Sequence, residues 1–197
     1  MLDQLRRRLS NYQPRLIMGN QPQAGVLIAL TDSAEPSVIL TRRASGLSSH
    51  SGEVAFPGGK FDLTDQSLLH TALREAEEEI GLPPEAVEII SPLGQVLSKH
   101  QLKVTPWVGI VPEKIELTPN LDELDCIFSV PLSFFLEDQR YRTDAVNLKG
   151  KMHYVPAYEY DGHIIWGLTA YMLVELMNVG FDAGIPMKPR PEHESEC

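Results

Sequence analysis

The sequence predicts an α/β fold in which a mixed β-sheet lies between helices, and three observations carry that expectation. Short runs of branched apolar residues recur along the chain as strands. Helical periodicity is confined to a segment in the middle, one near the end and a short stretch at the start. Clusters of Gly, Pro and Asp separate these elements, with no internal repeat. With 197 residues, 43% hydrophobic and 22% charged, the chain suits one globular domain over residues 1–182, followed by a flexible tail at 183–197 rich in Pro and Glu.

The elements follow in order. Residues 2–10 read as an amphipathic helix with Leu2, Leu5 and Leu9 on one side and three arginines on a solvated face. Residues 24–30 and 37–41 read as strands that pair as a hairpin across turn residues 31–36. A polar loop over 42–51 precedes a short strand at 53–56, which Pro57-Gly58-Gly59 breaks. A helix is expected over 66–80, capped by Thr64 or Asp65, with Leu69, Ala72, Leu73, Ala76 and Ile80 as its apolar stripe. Gly81 suits its C-terminal stop, and Pro83-Pro84 forbids continuation. Strands are expected at 87–90, 94–97, 103–111 and 125–130, with Pro106 marking an irregularity or a sheet edge. Pro131 opens a helical turn through Phe135. Strands at 152–160 and 163–166 flank Asp161-Gly162, a type I′ hairpin signal. A last helix runs over 169–179, with Thr169 as cap and Gly180 as stop.

Composition excludes several roles. A formal net charge of -10 disfavours a general nucleic-acid binder. No apolar run approaches the roughly 20 residues of a membrane span. Residues 1–9 lack the apolar core of a secretory signal. Cys126 and Cys197 are far apart, and free thiols fit a reducing, cytoplasmic setting.

The middle helix ends in Arg74-Glu75-Ala76-Glu77-Glu78-Glu79-Ile80-Gly81. Glu75, Glu78 and Glu79 share one face at i, i+3 and i+4, where like charges repel by roughly 0.2–0.5 kcal/mol per pair. They also crowd the helix end at which the dipole is already negative. A divalent cation would resolve that repulsion, and oxygen-only ligands favour Mg²⁺ or Mn²⁺ over zinc. A solvated acidic helix end is the alternative that charge alone leaves open. Arg74 is placed to hold a carboxylate in a bidentate pair. Upstream, Gly58-Gly59 allows backbone to approach an ion or phosphate closely, or serves only as a tight turn.

Together, Gly59 and Arg74-Glu75-Ala76-Glu77-Glu78-Glu79-Ile80-Gly81-Leu82 resemble the Nudix box, in which a glycine and a spaced acid precede Arg-Glu-apolar-x-Glu-Glu-x-Gly-apolar. The second half matches throughout. In the first half Asp65 stands at the acid position in place of Glu, and eight residues separate it from Arg74 where the usual box has seven. Further upstream, Ile39-Leu40-Thr41-Arg42-Arg43-Ala44-Ser45, Gly52 and Phe56-Pro57-Gly58-Gly59 resemble the signature of bacterial coenzyme A pyrophosphatases, with Ser48 at a position that signature fills with Arg. The likeness extends over roughly residues 24–176, through Val104-Thr105-Pro106, Asp122-Glu123-Leu124 and Trp166-Gly167-Leu168-Thr169-Ala170.

The resemblance implies a Nudix-type α/β/α sandwich and Mg²⁺- or Mn²⁺-dependent hydrolysis of a diphosphate bond in coenzyme A or a derivative. It assigns Glu75, Glu78 and Glu79 to the metal, with Gly59 near it. Arg43, Gly58 and Gly59 are the implied substrate contacts. Glu79 or Glu123 would take the proton of the attacking water, and sequence does not choose between them. Two rivals remain: the same chemistry on a dinucleotide or ADP-sugar, and a nucleotide-binding module without hydrolysis. Arg42, Lys60, Lys99 and Lys103 are further available bases, and Trp107 and Trp166 are placed either in the core or against adenine. His50, His100 and His153 are read as structural or surface residues. Monomer and homodimer both stay open.

Overall fold

The computed structural model describes residues 1–46, 52–148 and 150–188; the expectations placed on Ser48, His50, Cys197 and the tail from 189 onward lie outside them. The strands are β1 (Gln23–Asp32), β2 (Ser37–Arg43), β3 (Val54–Ala55), β4 (Gly58–Lys60), β5 (Glu88–Pro92), β6 (Val96–Leu97), β7 (Lys103–Pro112), β8 (Leu124–Pro131), β9 (Arg140–Leu148), β10 (Lys151–Tyr160) and β11 (His163–Ile165). The helices are α1 (Leu2–Leu9), α2 (Leu68–Ile80), α3 (Leu132–Leu136) and α4 (Gly167–Phe181).

The main sheet runs β3-β2-β1-β7-β5, with β4 also on β1, β6 on β7 and β8 on β2, and β9 to β11 form a second sheet. The main sheet is mixed, as expected: β1 and β7 are parallel from Gln23↔Lys103 to Asp32↔Pro112, whereas the other pairings are antiparallel. Alternation along β1 then sets the layers. Leu27 and Ala29 pack with Ala72, Ala76 and Ile80 of α2, whereas Ile28 and Leu30 join the cluster that includes Leu5 of α1 and Leu173 of α4. The result is the expected α/β/α arrangement. Ile80 and Leu82 are fully buried at the end of α2, each stabilising by roughly 1.5–3 kcal/mol.

Several local expectations change. Ser67, not Thr64 or Asp65, caps α2, its Oγ accepting from the His70 N–H at 3.1 Å. Thr64 instead donates to Asp62 in a turn of the preceding loop. Gly58 and Gly59 do more than break a strand, because they pair with Val26 and Gly25 as part of β4. Pro106 sits in the central strand β7 rather than at an edge. It lies between the β6 and β5 pairings, and its carbonyl accepts from Leu93 N–H at 2.8 Å. The irregularity is therefore a change of partner on one side, where a missing N–H is tolerated.

The last helix begins before Thr169, whose hydroxyl donates to the Val54 carbonyl at 3.0 Å. Gly180 lies inside α4, with Leu5 packed so close that a Cβ there would come within 2.5 Å of its Cδ1, and Asp182 in the left-handed region ends the helix. Both residues of the Asp161-Gly162 turn have positive φ, as a type I′ hairpin requires. The tail expected from residue 183 is packed at its start: Ile185 is buried, and its N–H donates to Asn178 Oδ1 at 2.7 Å. Strand β9 was not expected from the sequence. Lys103 is no free base either, since its nearly buried ammonium donates to the carbonyls of Ile17 and Gly19 at 3.0 and 2.9 Å.

Candidate active site

The acidic face of α2 lies over the β4 glycines. Helical spacing turns Glu77 and Glu78 to solvent and Glu79 inward, where it is only 5% exposed. Its Oε2 accepts from Gly58 N–H at 3.2 Å. Burial pushes the Glu79 carboxyl up to about 7, and the charges of Glu75 and Glu123 push the same way, against the Gly58 hydrogen bond and Arg43. Glu75 is raised as well, first by burial, with Arg74 opposing.

Two glycines make this approach feasible. A Cβ on Gly58 would fall 2.5 Å from the Gly25 carbonyl oxygen, and one on Gly59 would fall 2.3 Å from Glu75 Oε1. Thus the Gly59 backbone and the Glu75 carboxylate fill space that any other residue would claim.

Arg74 ties the helix to the loop before it. Its Nε and Nη2 donate to Asp65 Oδ1 and Oδ2 at 2.8 and 2.9 Å, the fork-to-fork pair expected of Arg but with an acid outside the helix. Asp65 also accepts from Thr71 Oγ1 at 2.8 Å and Asp62 N–H at 2.9 Å. Arg74's hydrogen bonds hold the buried Asp65 carboxyl well below the usual carboxylate range. The remaining nitrogen, Nη1, reaches Glu75 at 3.1 Å and Glu78 at 3.3 Å. The shorter acid and the longer spacing within the box therefore still bring a carboxylate onto Arg74. The parts played by Thr71 and Asp62 carried no signal in the sequence beyond their nearness to Asp65.

Glu123 reaches the same neighbourhood through the end of α2. Thr118 and Asn120 N–H groups cap the carbonyls of Ile80 and Glu79 at 2.9 and 2.8 Å, and Glu123 N–H returns to the Asn120 carbonyl at 3.0 Å. The Glu123 carbonyl then accepts from Ala44 N–H at 2.9 Å, fixing the loop beside Arg43. Arg43 Nε is buried without a hydrogen-bond partner among the described residues. Its charge acts on Glu79, so a cation stands beside the acidic group.

Among the described residues, no three His, Cys, Asp or Glu side chains converge into a metal-ligating cluster; Arg74 bridges Glu75 and Glu78 instead. The donor set nevertheless suits a hard cation. It offers oxygen alone, holds Glu75 and Glu79 desolvated and beside other acids, and is lined by glycine backbone.

A NUDIX domain family model matches residues 21–132. The chain belongs to the Nudix family. It is 44% identical over 157 residues to a protein of Salmonella paratyphi B named as the uncharacterized Nudix hydrolase NudL, covering 80% of this chain and 82% of the relative. The figures for the Salmonella newport protein of that name are the same. Among solved structures, the Nudix hydrolase RenU of M. Smegmatis aligns with a TM-score of 0.56 at 19% identity, over 88% of this chain and 92% of that one. This likeness shows the Nudix fold. Nudix hydrolases act on pyrophosphate bonds and generally use divalent metal ions. Among the described residues, no helix of this Nudix protein is long and apolar enough to cross a membrane.

Proposed function

We propose that this Nudix protein hydrolyses the diphosphate bond of coenzyme A or a derivative, giving 3′,5′-ADP and 4′-phosphopantetheine. The observation that carries the reading is the bond from Gly58 N–H to Glu79, which joins the Phe56-Pro57-Gly58-Gly59 segment of the coenzyme A signature to the acidic helix in one site. Glu75, Glu78 and Glu79, with Gly59 beside them, would hold Mg²⁺ or Mn²⁺. Such a cation, when bound, screens diphosphate charge and polarises a water for attack.

The other roles belong to the chain's own groups. Glu79, poised near neutrality, is suited to take the proton of the attacking water, and Glu123 is the second carboxylate within electrostatic reach. Arg43, whose buried Nε has no hydrogen-bond partner among the described residues, supplies a guanidinium for the phosphoryl oxygens, which carry the developing charge. Arg74 positions Glu75 and Glu78 rather than touching substrate. Gly58 and Gly59 let backbone come close enough to line the diphosphate. A free Cys126 thiol is in keeping with a cytoplasmic setting.

The test is a panel of coenzyme A, dephospho-coenzyme A, a dinucleotide and an ADP-sugar, with Mg²⁺ or Mn²⁺ and products identified by mass. Preferential cleavage of coenzyme A is expected. Preference for a substrate lacking the 3′-phosphate would reject the assignment in favour of another nucleoside diphosphate derivative. Ligand binding with no product would favour a binding module.

A further inference from the structure

Strand β9 is an outer strand of the second sheet, whose order is β11-β10-β9. It runs nine residues and carries no proline and no lysine, two of the usual guards on such an edge. One guard is present at its start. Ala157 of β10 pairs with Arg142 and Tyr158 with Arg140, so Tyr141 is left over as a bulge. From Arg142 onward the register is regular. The two arginines that could repel a neighbouring copy already have acids. Arg140, its side chain 1% exposed, is tied to Asp138 at 2.7 Å, and Arg142 Nε donates to Asp144 Oδ1 at 2.7 Å.

Pro156 decides which backbone groups of β9 face outward. It lies opposite Thr143. With no N–H, a proline cannot belong to a pair that exchanges both ladder bonds, so Thr143 and Pro156 form a pair of the other kind. Thr143 therefore turns its N–H and carbonyl away from β10, and Ala145, two residues on, does the same. Among the described residues, no backbone hydrogen bond from another element reaches either of them.

Symmetry restricts how a second copy can meet this edge. A two-fold axis that sets β9 antiparallel to its own copy stands perpendicular to the sheet. It keeps each face, so only residues of like parity oppose each other. An axis at Arg142 sets that arginine against itself, and an axis at Asp144 sets two aspartates together, both unfavourable. An axis at Ala145 puts Val146 opposite Asp144 and gives Arg142 no acid. An axis at Thr143 lets the two Thr143 residues exchange both backbone bonds and sets each Arg142 against Asp144 of the other copy. That second pair is of the kind in which side chains come closest. With the Arg142–Asp144 pair inside each strand, the four groups close a square of alternating charge.

We propose that this edge is a homodimer contact, in which β9 of one copy pairs antiparallel with β9 of another about Thr143. The occupant is a second copy because the edge complements itself in charge in that register. Tyr141, 61% exposed, flanks the contact at each end. The hydrolytic site takes no part in it, so the dimer and the substrate are tested separately.

The test is sedimentation velocity of the full chain over a concentration series, with circular dichroism as the check on folding. The parent should show a monomer–dimer equilibrium. Thr143→Pro removes an N–H that faces the open edge and no bond to β10, so it should give a folded monomer. Arg142→Asp and Asp144→Arg should each weaken the dimer by roughly tenfold or more, because like charges then face each other twice. Mixing those two variants should restore association, since each then meets its complement across the axis while the pair within each strand stays broken. A parent that remains monomeric at every concentration would overturn the proposal. So would a dimer that survives Thr143→Pro, which would place the contact on another surface. Single charge variants that dimerise like the parent, or a mixture that associates no better than its components, would overturn the Thr143 register and the proposal with it.

Discussion

Glu79 combines two properties that rarely coexist, a buried side chain and a surrounding excess of negative charge. Because its folded carboxyl titrates near 7 rather than 4.5, the folded chain holds more protons than the unfolded chain between those values. Stability of the metal-free protein contributed by this group is therefore present at low pH and lost as pH rises through that window, by on the order of 2–3 kcal/mol. Glu79→Gln keeps an acceptor for Gly58 N–H and removes the titration. Its metal-free melting temperature at pH 8 should equal or exceed that of the parent, and the slope between about pH 4.5 and 7 should flatten. Hydrolysis should fall by roughly 100-fold or more if Glu79 handles the proton of water. A large drop in metal-free stability would contradict the view that this charge is strained in the fold. Gly59→Ala tests the cradle. Its Cβ would drive the Glu75 carboxylate away, so activity should fall while the fold, read by circular dichroism, persists, because the displaced group is the end of a flexible side chain.

Helix α2 is tied to its loop chiefly by the Arg74 guanidinium, and its start comes close to the sheet over Gly25. Removing Arg74 leaves Asp65 buried without its ion pair, so Arg74→Ala should destabilise by roughly 2–3 kcal/mol in denaturant titration. Asp65 is depressed in the folded chain, and its stabilisation is present above the ordinary carboxylate range and lost as pH falls toward the lowered value; in Arg74→Ala that acid-side loss should shrink. Gly25 lies under the helix start, where a Cβ would meet the Leu68 carbonyl oxygen at 2.2 Å. Gly25→Ala should therefore push α2 off β1, at about 1–3 kcal/mol.

Much of this scale was legible in the sequence. The apolar stripe of α2, the Gly81 stop and the Asp161-Gly162 hairpin depend on local spacing and turn chemistry, which the sequence displays directly. The Ser67 cap was missed because Thr64 and Asp65 offer the same side-chain chemistry a few residues earlier, and only the tertiary pull of Arg74 on Asp65 decides among them. Strand β9 was missed because Arg140-Tyr141-Arg142-Thr143-Asp144 is a polar ribbon stabilised by its partner β10 and by pairs such as Arg142 with Asp144, not by an apolar face.

Across the whole molecule, the net charge of -10 is not spread evenly in its consequences. Most acids meet water, whereas Glu75 and Glu79 are drawn toward the sheet and Glu123 is brought to them by the loop that caps α2. Arg43 and Arg74 offset part of that charge, and burial first, with the neighbouring acids after it, keeps the Glu75 and Glu79 carboxyls raised. A ligand that supplies positive charge to the folded state alone must stabilise it by mass action, by about 2.7 kcal/mol when present at 100 times its dissociation constant. Mg²⁺ or Mn²⁺ should accordingly raise the melting temperature in a concentration-dependent way at pH 8. The rise should shrink sharply in Glu79→Gln and in Glu75→Gln, and should persist in Glu77→Gln, whose side chain points to solvent. Monovalent salt at matched ionic strength separates binding from simple screening of surface charge, which acts on all three variants alike. A shift of equal size in the parent and in all three variants would mean that the acidic face of α2 is only a charged surface, and the hydrolytic reading would lose its physical basis.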